Sequence, residues 1–364
     1  MKKHTVKAIL GLLAFLMILS SCNGNTPVDT VTTGLTTAQV TESQTNQKEE
    51  SNKPTYANMW TYKTTSAGVL VREITIDSGK GGDAIEIVQL SDLHINYFNQ
   101  RDLDEANPAL MSTMENRQWL KNFGSQTNIN RCMEMFKNAD QIVLTGDVID
   151  SLSWGALEKL NSEIFQKYDN VMACLGNHDA SRQNQGTVAD TTTLESRLAI
   201  VQENWCNDVF YSSKVIGDKV MLIQMDNGSK YAFWDVQVDQ LAADLATARA
   251  NGYVVLIFYH IPLATANPYD KEVEALKVGD PNFAKRNFYN EGVGRYSEGA
   301  SKAVYDLITN NGDIIKGTFC GHNHNDYYTE IKAKTASGEA TVIPQYTLLG
   351  IPYNRGHALK ITIT

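Results

Sequence analysis

The chain is poor in cysteine and in basic charge, and each shortage argues against a class of protein. Its five cysteines among 364 residues do not have the spacing of a zinc ribbon. Its 32 Lys and Arg are outnumbered by 41 Asp and Glu, which gives a formal net charge of −9. No nucleic-acid partner is expected, because broad nucleic-acid binding needs a basic surface. A phosphorylated substrate remains compatible with this charge, since bound divalent metals would supply positive charge locally.

Several common catalytic motifs are also missing. The sequence contains no His-Glu-x-x-His, no His-x-His-x-Asp-His, no Ser nucleophile elbow and no phosphate-cradling Gly-Lys loop. The chemistry associated with those motifs is therefore not expected.

Long hydrophobic runs are missing apart from a short one near the N-terminus. Three lysines precede an uncharged apolar run over residues 8–19, which is too short to span a bilayer but typical of a secretory signal. The run ends at Leu19-Ser-Ser-Cys22, which resembles the bacterial lipobox. The resemblance implies a lipoprotein signal peptide over 1–21, lipidation of Cys22 and an extracytoplasmic protein anchored to a bacterial cell membrane. An ordinary signal peptide with an incidental cysteine is the alternative.

Composition divides the remainder into a tether and one folded domain. Residues 22–65 are rich in Thr, Ser and Gln and poor in apolar side chains, so they are predicted to be flexible. Strand and helix patterns follow, without an internal repeat or a second linker. Residues 66–364 are therefore predicted to form a single domain, and a hydrophobic fraction of 42% suits a sizeable core.

Local signals add predictions within this domain. Asn128 is a plausible N-cap of one helix, and Thr192 with Glu195 reads as a capping box before another. Residues 209–225 are predicted to form a hairpin. A disulfide between Cys132 and Cys206 is left open, because the sequence does not report the distance between them.

Two stretches, residues 95–121 and 262–298, break the alternation of strands and helices. The first follows His94 and the second follows His260, and both histidines are candidate metal ligands. Both stretches are therefore predicted to be loops that shape substrate access. The second contains Arg286 and Arg295, for which ordinary surface charges are an equally good interpretation. No substrate-binding residue is assigned.

Five segments place metal-ligand side chains directly after short apolar runs. Such runs are typical of buried strands in α/β sheets, where ligands gather beyond the carboxyl ends. A lone His-x-His or Gly-Asn-His is more often structural, but five of the seven histidines lie in these segments. The ordered set therefore predicts a two-metal site at one sheet edge. The segments are Asp92-Leu-His94, Gly146-Asp147-Val-Ile-Asp150, Gly176-Asn177-His178-Asp179, Tyr259-His260 and Gly321-His322-Asn-His324.

The five segments together resemble the motif series of calcineurin-like metallophosphoesterases. The resemblance implies an α/β fold, namely a four-layer α/β/β/α sandwich with two central mixed β-sheets. It also implies two divalent transition metals, and the N and O ligands suit Mn, Fe or Zn. One metal would take Asp92, His94 and His324, the other Asn177, His260 and His322, and Asp147 would bridge them.

The resemblance also implies two catalytic residues. His178 would stand near the leaving-group oxygen as a proton donor, with Asp150 orienting its imidazole. Asp179 is expected to brace the turn. Ser151 stands where related Ser/Thr phosphatases have a phosphate-binding Arg, which argues against protein phosphatase activity. Asp150 also occupies the place of the metal-binding Tyr of purple acid phosphatases.

The implied function is hydrolysis of a small-molecule phosphomonoester or phosphodiester by in-line attack of a hydroxide that bridges the two metals. A nucleotide or diphosphate hydrolase using the same ligands is an alternative. A non-catalytic surface lipoprotein that binds a phosphorylated ligand or metal is an alternative from another class.

Overall fold

The described part of the chain begins at residue 61. A computed structural model describes residues 61–106, 108–117, 125–180, 188, 193–263, 299–324, 326–352 and 356–364. The predicted signal peptide, Cys22, Arg286 and Arg295 therefore lie outside the described residues. Among the residues described, no helix combines the length and hydropathy required to cross a bilayer.

The strands form two six-stranded mixed sheets. In spatial order, the first contains β1 (Thr61–Thr64), β2 (Leu70–Ile76), β12 (His357–Ile363), β3 (Ile85–Leu90), β4 (Gln141–Thr145) and β5 (Val171–Cys174). The second contains β10 (Tyr327–Lys334), β11 (Ala340–Thr347), β9 (Ile315–Cys320), β8 (Val254–Phe258), β7 (Val220–Met225) and β6 (Tyr211–Ile216). Strand β12 runs parallel to β2 and antiparallel to β3, whereas β8 runs parallel to both β7 and β9.

Seven helices are described around these sheets. They are α1 (Gln100–Glu105), α2 (Pro108–Asn116), α3 (Ser125–Phe136), α4 (Trp154–Leu160), α5 (Leu194–Glu203), α6 (Asp235–Asn251) and α7 (Gly299–Thr309). Helix α4 continues into a π-helical turn over Asn161–Phe165.

Alternating side chains of the strands define the layers. In β3, Ile87 packs between the sheets with Leu222 of β7, while Val88 packs on the other face with α3, α4 and α5. In β7, Ile223 faces away from the first sheet and packs with α6 and α7. Because side chains alternate between the two faces of a strand, each sheet covers the other on one side and helices on the other. This arrangement confirms the predicted four-layer α/β/β/α sandwich.

One described strand lies before the predicted domain boundary at residue 66. Strand β1 lies within the range assigned to the tether and pairs antiparallel with β2, where Thr64 is opposite Leu70. The hairpin predicted over residues 209–225 is confirmed by the antiparallel pairing of β6 and β7.

Two predicted helix starts were wrong. Helix α3 begins at Ser125, so Asn128 lies inside it, buried, with its side-chain amide donating to Ile351 O at 3.3 Å. This tertiary contact explains a polar residue that the pattern assigned to a cap. Helix α5 is capped by Thr193, whose hydroxyl accepts from the Ser196 amide, rather than by Thr192.

The disulfide that the sequence left open is not formed. Cys132 is a buried free thiol and Cys206 an exposed one. Burial raises the pKa of Cys132 to about 12, so this thiol stays protonated at neutral pH.

Residues 95–121 are not simply a loop, because they contain α1 and α2. Helix α1 starts with a capping box in which the Asn99 side chain accepts from the Asp102 amide and Asp102 accepts from the Asn99 amide. The buried Asp102 carboxylate also accepts from the amides of Trp154 and Gly155 at 2.8 and 2.7 Å, which docks α1 against the start of α4. Of the second predicted loop, residues 264–298 lie outside the described part of the chain.

Candidate metal centre

The five predicted segments meet where the carboxyl ends of strands from both sheets come together. Strands β3, β4 and β5 of the first sheet and β8 and β9 of the second each precede one segment. Hydrogen bonds between groups of the two sheets connect them there. His260 Nδ1 donates to Thr145 O at 2.8 Å, and Gln89 Nε2 donates to Cys320 O at 2.9 Å. The site is therefore shared by two sheets instead of lying at the edge of one.

A first group of ligand atoms comes from Asp92, His94, Asp147 and His324, all within 4.8 Å of one another. His324 Nε2 lies 3.1 Å from His94 Nε2 and 3.2 Å from Asp92 Oδ1. Asp147 Oδ2 is 3.9 Å from His94 Nε2. Two ligands about 2.1 Å from a common metal lie about 3.0 to 3.4 Å apart at octahedral or tetrahedral angles. The two distances from His324 Nε2 fit that range, whereas His94 Nε2 and Asp92 Oδ1 lie 4.0 Å apart.

A second group combines Asp147, His260 and His322 with the amide oxygen of Asn177. His260 Nε2 lies 3.3 Å from Asp147 Oδ2 and 3.1 Å from Asn177 Oδ1. His322 Nδ1 lies 2.8 Å from Asn177 Oδ1 and 3.2 Å from His260 Nε2. Asp147 Oδ2 faces both groups, so the donor set fits a pair of metals with a shared carboxylate.

Hydrogen bonds to the other ring nitrogens orient two of these ligands. His94 Nδ1 lies 3.0 Å from Asp150 Oδ1, and His260 Nδ1 lies 2.8 Å from Thr145 O. Because both acceptors are oxygens, each ring carries its proton on Nδ1, which leaves Nε2 to face the ligand cluster.

His178 lies beside the ligand groups and has a different environment. Its Nδ1 donates to the main-chain oxygen of Asp150 at 2.7 Å, and its Nε2 lies 3.8 Å from Asp147 Oδ2. Its side chain is 11% exposed, whereas those of His94 and His260 are fully buried.

The contacts of Asp150 differ in one respect from the predicted ones. Its main-chain oxygen orients His178, whereas its carboxylate lies 3.6 Å from His178 Nδ1 and only 3.0 Å from His94 Nδ1. The side chain of Asp150 therefore supports a predicted metal ligand rather than the predicted acid.

Asp179 braces the turn after β5. Its carboxylate accepts from the amides of Ile149 and Gly176 at 2.9 and 2.6 Å. Burial, and after it the charge of Asp147, raises the pKa of Asp179 to about 8.

Backbone strain is concentrated at the predicted ligands. Among the described residues, seven residues other than glycine have a positive φ, and five of these are predicted ligands. That conformation is costly for residues with a side chain and is characteristic of functional sites. The five are Asp92 (48°), His94 (47°), Asp147 (47°), His322 (71°) and His324 (50°).

Two glycines let the backbone approach the ligands closely. Gly146 has a φ of +81°, and a Cβ there would lie 2.5 Å from His260 Nδ1. A Cβ on Gly321 would lie 1.9 Å from Ser91 Oγ and 2.3 Å from Asp92 Oδ2. A side chain at either position would displace a predicted ligand.

Charge in the site is balanced between carboxylates and imidazoles. Burial opposes ionisation of Asp147, but the charges of His260 and His178 outweigh it and hold the pKa of Asp147 well below its usual range. Burial lowers the pKa of His260, yet Asp147 reverses this and raises it to about 10. Burial lowers the pKa of His94, which favours the neutral ring that binds metals.

Two supporting residues were not predicted. The Arg117 guanidinium forms an ion pair with Asp150, 33 positions away, and no sequence pattern marked it. Asn227 Oδ1 accepts from the amides of His260 and Ile261 at 3.2 and 2.9 Å. Asn227 follows β7 closely, as the predicted ligands follow their strands, and that placement was a signal that could have found it.

The fold is similar to several solved structures at low sequence identity. A dimetal phosphatase from Danio rerio is 14% identical with a TM-score of 0.39, covering 76% of this chain and 91% of that one. Calcineurin-like phosphoesterase YfkN from Bacillus subtilis is 15% identical with a TM-score of 0.29, covering 74% of this chain and 82% of that one. A 5'-nucleotidase from Candida albicans is 13% identical with a TM-score of 0.32, covering 74% of this chain and 45% of that one.

A comparison of the sequence with models of protein families identifies the family of this chain. No curated protein matches the chain. The model described as calcineurin-like phosphoesterase matches residues 85–326, which is more than half of the chain and includes all five segments. The chain therefore belongs to the calcineurin-like phosphoesterase family.

Proposed function

We propose that this protein is a dinuclear, metal-dependent phosphoesterase that hydrolyses a small-molecule phosphomonoester or phosphodiester. The observation that carries the proposal is the position of Asp147 Oδ2, which lies 3.3 Å from His260 Nε2 in one ligand group and 3.9 Å from His94 Nε2 in the other. A shared carboxylate of this kind offsets the repulsion between two nearby cations.

The donor set suits an anionic phosphate substrate. Asp92, His94, Asp147 and His324 would hold one metal, and Asp147, Asn177, His260 and His322 the other. When bound, the metals would neutralise phosphate charge and lower the pKa of a water molecule toward neutrality. Asn177 contributes a neutral oxygen, so the two carboxylates leave the loaded site net positive.

His178 is proposed to hold a proton for the leaving-group oxygen. Its Nδ1 is fixed by the main-chain oxygen of Asp150 at 2.7 Å, which aims Nε2 at the space beside Asp147. A ring held in this way can donate from Nε2 without losing its Nδ1 contact.

A substrate screen tests the proposed reaction. Metal-free protein is reloaded with Mn, Fe or Zn and assayed with phosphomonoesters, phosphodiesters, nucleotides and sugar phosphates. We expect metal-dependent turnover that Asp147→Asn abolishes and that the surface variant Asp313→Asn retains. Full metal loading without turnover of any of these substrates would contradict the proposed reaction and favour a binding protein.

We also propose that Cys22 is lipidated and anchors the protein outside the cytoplasm. Support comes from the sequence alone, namely the apolar run that ends in Leu19-Ser-Ser-Cys22. Expression in a bacterial host with a lipid-labelling fatty acid should label the wild type in the membrane fraction but not Cys22→Ser. Equal labelling of both proteins would refute lipidation at this position.

A further inference from the structure

The Asp150 carboxylate is fully buried and accepts hydrogen bonds from three other residues. His94 Nδ1 lies 3.0 Å from Oδ1, and Arg117 Nη2 donates to the same oxygen. Arg117 Nε and Asn96 Nδ2 donate to Oδ2 at 2.9 and 3.2 Å. These four donors match the four lone-pair directions of a carboxylate, so its orientation is fixed from every side.

Arg117 supplies the positive charge in this arrangement. A buried carboxylate is stable only when it is paired and hydrogen-bonded, and the planar guanidinium binds both oxygens at once. Without Arg117, the Asp150 carboxylate would lose two of its four donors, one on each oxygen, and would be held only by His94 and Asn96. Its contact with His94 Nδ1 would then be less well defined, and that contact sets which nitrogen of His94 faces the ligand cluster.

The same contacts attach residues 96–117 to the site through Asp150. Arg117 directly follows α2, and Asn96 lies two residues after His94. The Asn96 amide also donates to Arg117 O at 3.2 Å, so both ends of residues 96–117 meet at Asp150. This is the segment that the sequence assigned to substrate access, and Asp150 O is the group that orients His178.

We propose that Arg117 is a positioning residue that holds the Asp150 carboxylate against His94, and thereby couples the segment of residues 96–117 to the metal centre. The proposal rests on the metal centre of the proposed function but not on its phosphoesterase reaction. Arg117 comes from a different part of the chain than Ser151, where related phosphatases have their Arg.

Metal affinity of the metal-free protein is the direct readout. Titration with Mn²⁺ or Zn²⁺ against a competing chelator should show affinity about 10- to 100-fold weaker in Arg117→Ala than in the wild type, as for other groups that support a metal-binding His. Arg117→Lys should fall between them, because an ammonium keeps the charge but not the two-point contact. Arg101→Ala is the matched control, since Arg101 pairs with Glu105 on the same segment and should leave affinity unchanged.

A double-mutant cycle shows whether Arg117 acts through Asp150. In an Asp150→Asn background, Arg117→Ala should weaken metal binding by much less than in the wild type, because their shared contact is already lost. Free guanidinium at millimolar concentration should restore affinity to Arg117→Ala, whereas a sodium salt of equal ionic strength should not. A merely structural loss would not respond to guanidinium.

Three results would overturn the proposal. They are unchanged affinity in Arg117→Ala, additive losses in the cycle, and absence of guanidinium rescue in a variant that circular dichroism shows to be folded. The proposed function can fail separately. If the wild type binds metal but hydrolyses none of the substrates, the proposed reaction is refuted while the proposed role of Arg117 in metal binding is not. A wild type without metal affinity overturns both.

Discussion

His94 and His178 share Asp150 but contact different atoms of it. His94 meets the carboxylate, whereas His178 meets the main-chain oxygen at 2.7 Å. His178 Nε2 lies 3.8 Å from Asp147 Oδ2. At the scale of single residues, these contacts distinguish the proposed metal ligand His94 from the proposed proton donor His178.

Substitution of the proposed proton donor tests that separation. We expect His178→Ala to keep both metals and to lower kcat by about 10²- to 10⁴-fold. The loss should be largest for substrates with poor leaving groups, which need protonation most. Steady-state kinetics over a series of aryl phosphates, together with metal content, measures this. An equal loss for every leaving group would contradict the acid role.

The close approach of the Gly321 backbone to Asp92 leads to a second prediction about a single residue. A Cβ there would lie 2.3 Å from Asp92 Oδ2, so Gly321→Ala should move a predicted ligand and weaken metal binding at least tenfold. Gly338→Ala is the control, because nothing lies within 4 Å of its added Cβ although its φ is also positive, at +88°. Metal titration of both variants measures the effect. Equal metal affinities would show that the close approach of Gly321 to Asp92 is not needed for metal binding.

Individual residues differ in how far the sequence could predict them. The positions of the seven candidate ligands were predictable because each follows a buried strand within a few positions, so the strand itself brings it to the site. Arg117 was not, because its contact with Asp150 depends on the path of the segment between β3 and α3, which no local pattern encodes. The contact of the Asp150 carboxylate with His94 was missed for another reason, because the resemblance paired Asp150 with His178 and did not say which atoms would meet.

At the scale of elements, the turn after β7 supports the end of β8. Asn227 Oδ1 accepts from the amides of His260 and Ile261, and its Nδ2 donates to Ile261 O at 2.7 Å. The side chain thus supplies hydrogen-bond partners to backbone groups that lie just beyond the end of β8, where strand pairing has ended. His260 is held in place by a neighbouring element as well as by its own strand.

Removing this brace should affect the second ligand group. We expect Asn227→Ala to destabilise the fold by about 1 to 3 kcal/mol, because buried backbone groups lose their partners, and to weaken metal binding. Asn251→Ala is the control, since its amide bonds Thr247 O on an exposed helix end. Urea unfolding and metal titration measure both effects. If Asn227→Ala bound metal as the control does, the brace would have no part in placing His260.

Elements with strong apolar periodicity were predictable, and those shaped by long-range polar contacts were not. The strands leading to the site are short buried runs, and the sequence located them well. Helix α1 was missed because it is short and polar, and its position depends on Asp102 capping α4 as well. The start of α3 was misplaced because Asn128 bonds Ile351, a residue more than 200 positions away.

At the scale of the whole molecule, the site exists only where the two sheets meet. Gln89 reaches from the first sheet to Cys320 O, and His260 reaches from the second to Thr145 O. The family resemblance implied this sandwich, but the cross-sheet bonds follow from the packing of complete layers and have no local sequence signal.

A surface ion pair makes a pH-dependent prediction for the stability of the molecule. Arg249 on α6 pairs with Asp313 before β9, and its hydrogen bonds hold the pKa of Asp313 below the ordinary 3.8. A lowered folded-state pKa gives stability that is present above 3.8 and is lost as the pH falls. Asp313→Asn should therefore lower the free energy of unfolding by less than about 1 kcal/mol at pH 7, because the pair is partly exposed.

The difference should shrink as the pH falls below 3.8, since the wild-type carboxyl is then protonated first in the unfolded state and, at lower pH, in the folded one as well. Urea unfolding of both proteins across this range measures it. A difference independent of pH would show that the ion pair does not contribute.

The metal content of the purified protein tests the dinuclear centre most directly. Metal-free wild type, reloaded with Mn, Fe or Zn and passed through a desalting column, should hold close to two ions per chain by elemental analysis. Asp147→Asn should lose both, because its carboxylate faces both ligand groups, while Asp313→Asn should keep both. A wild type that holds one ion or none, or an Asp147→Asn variant that still holds two, would contradict the account.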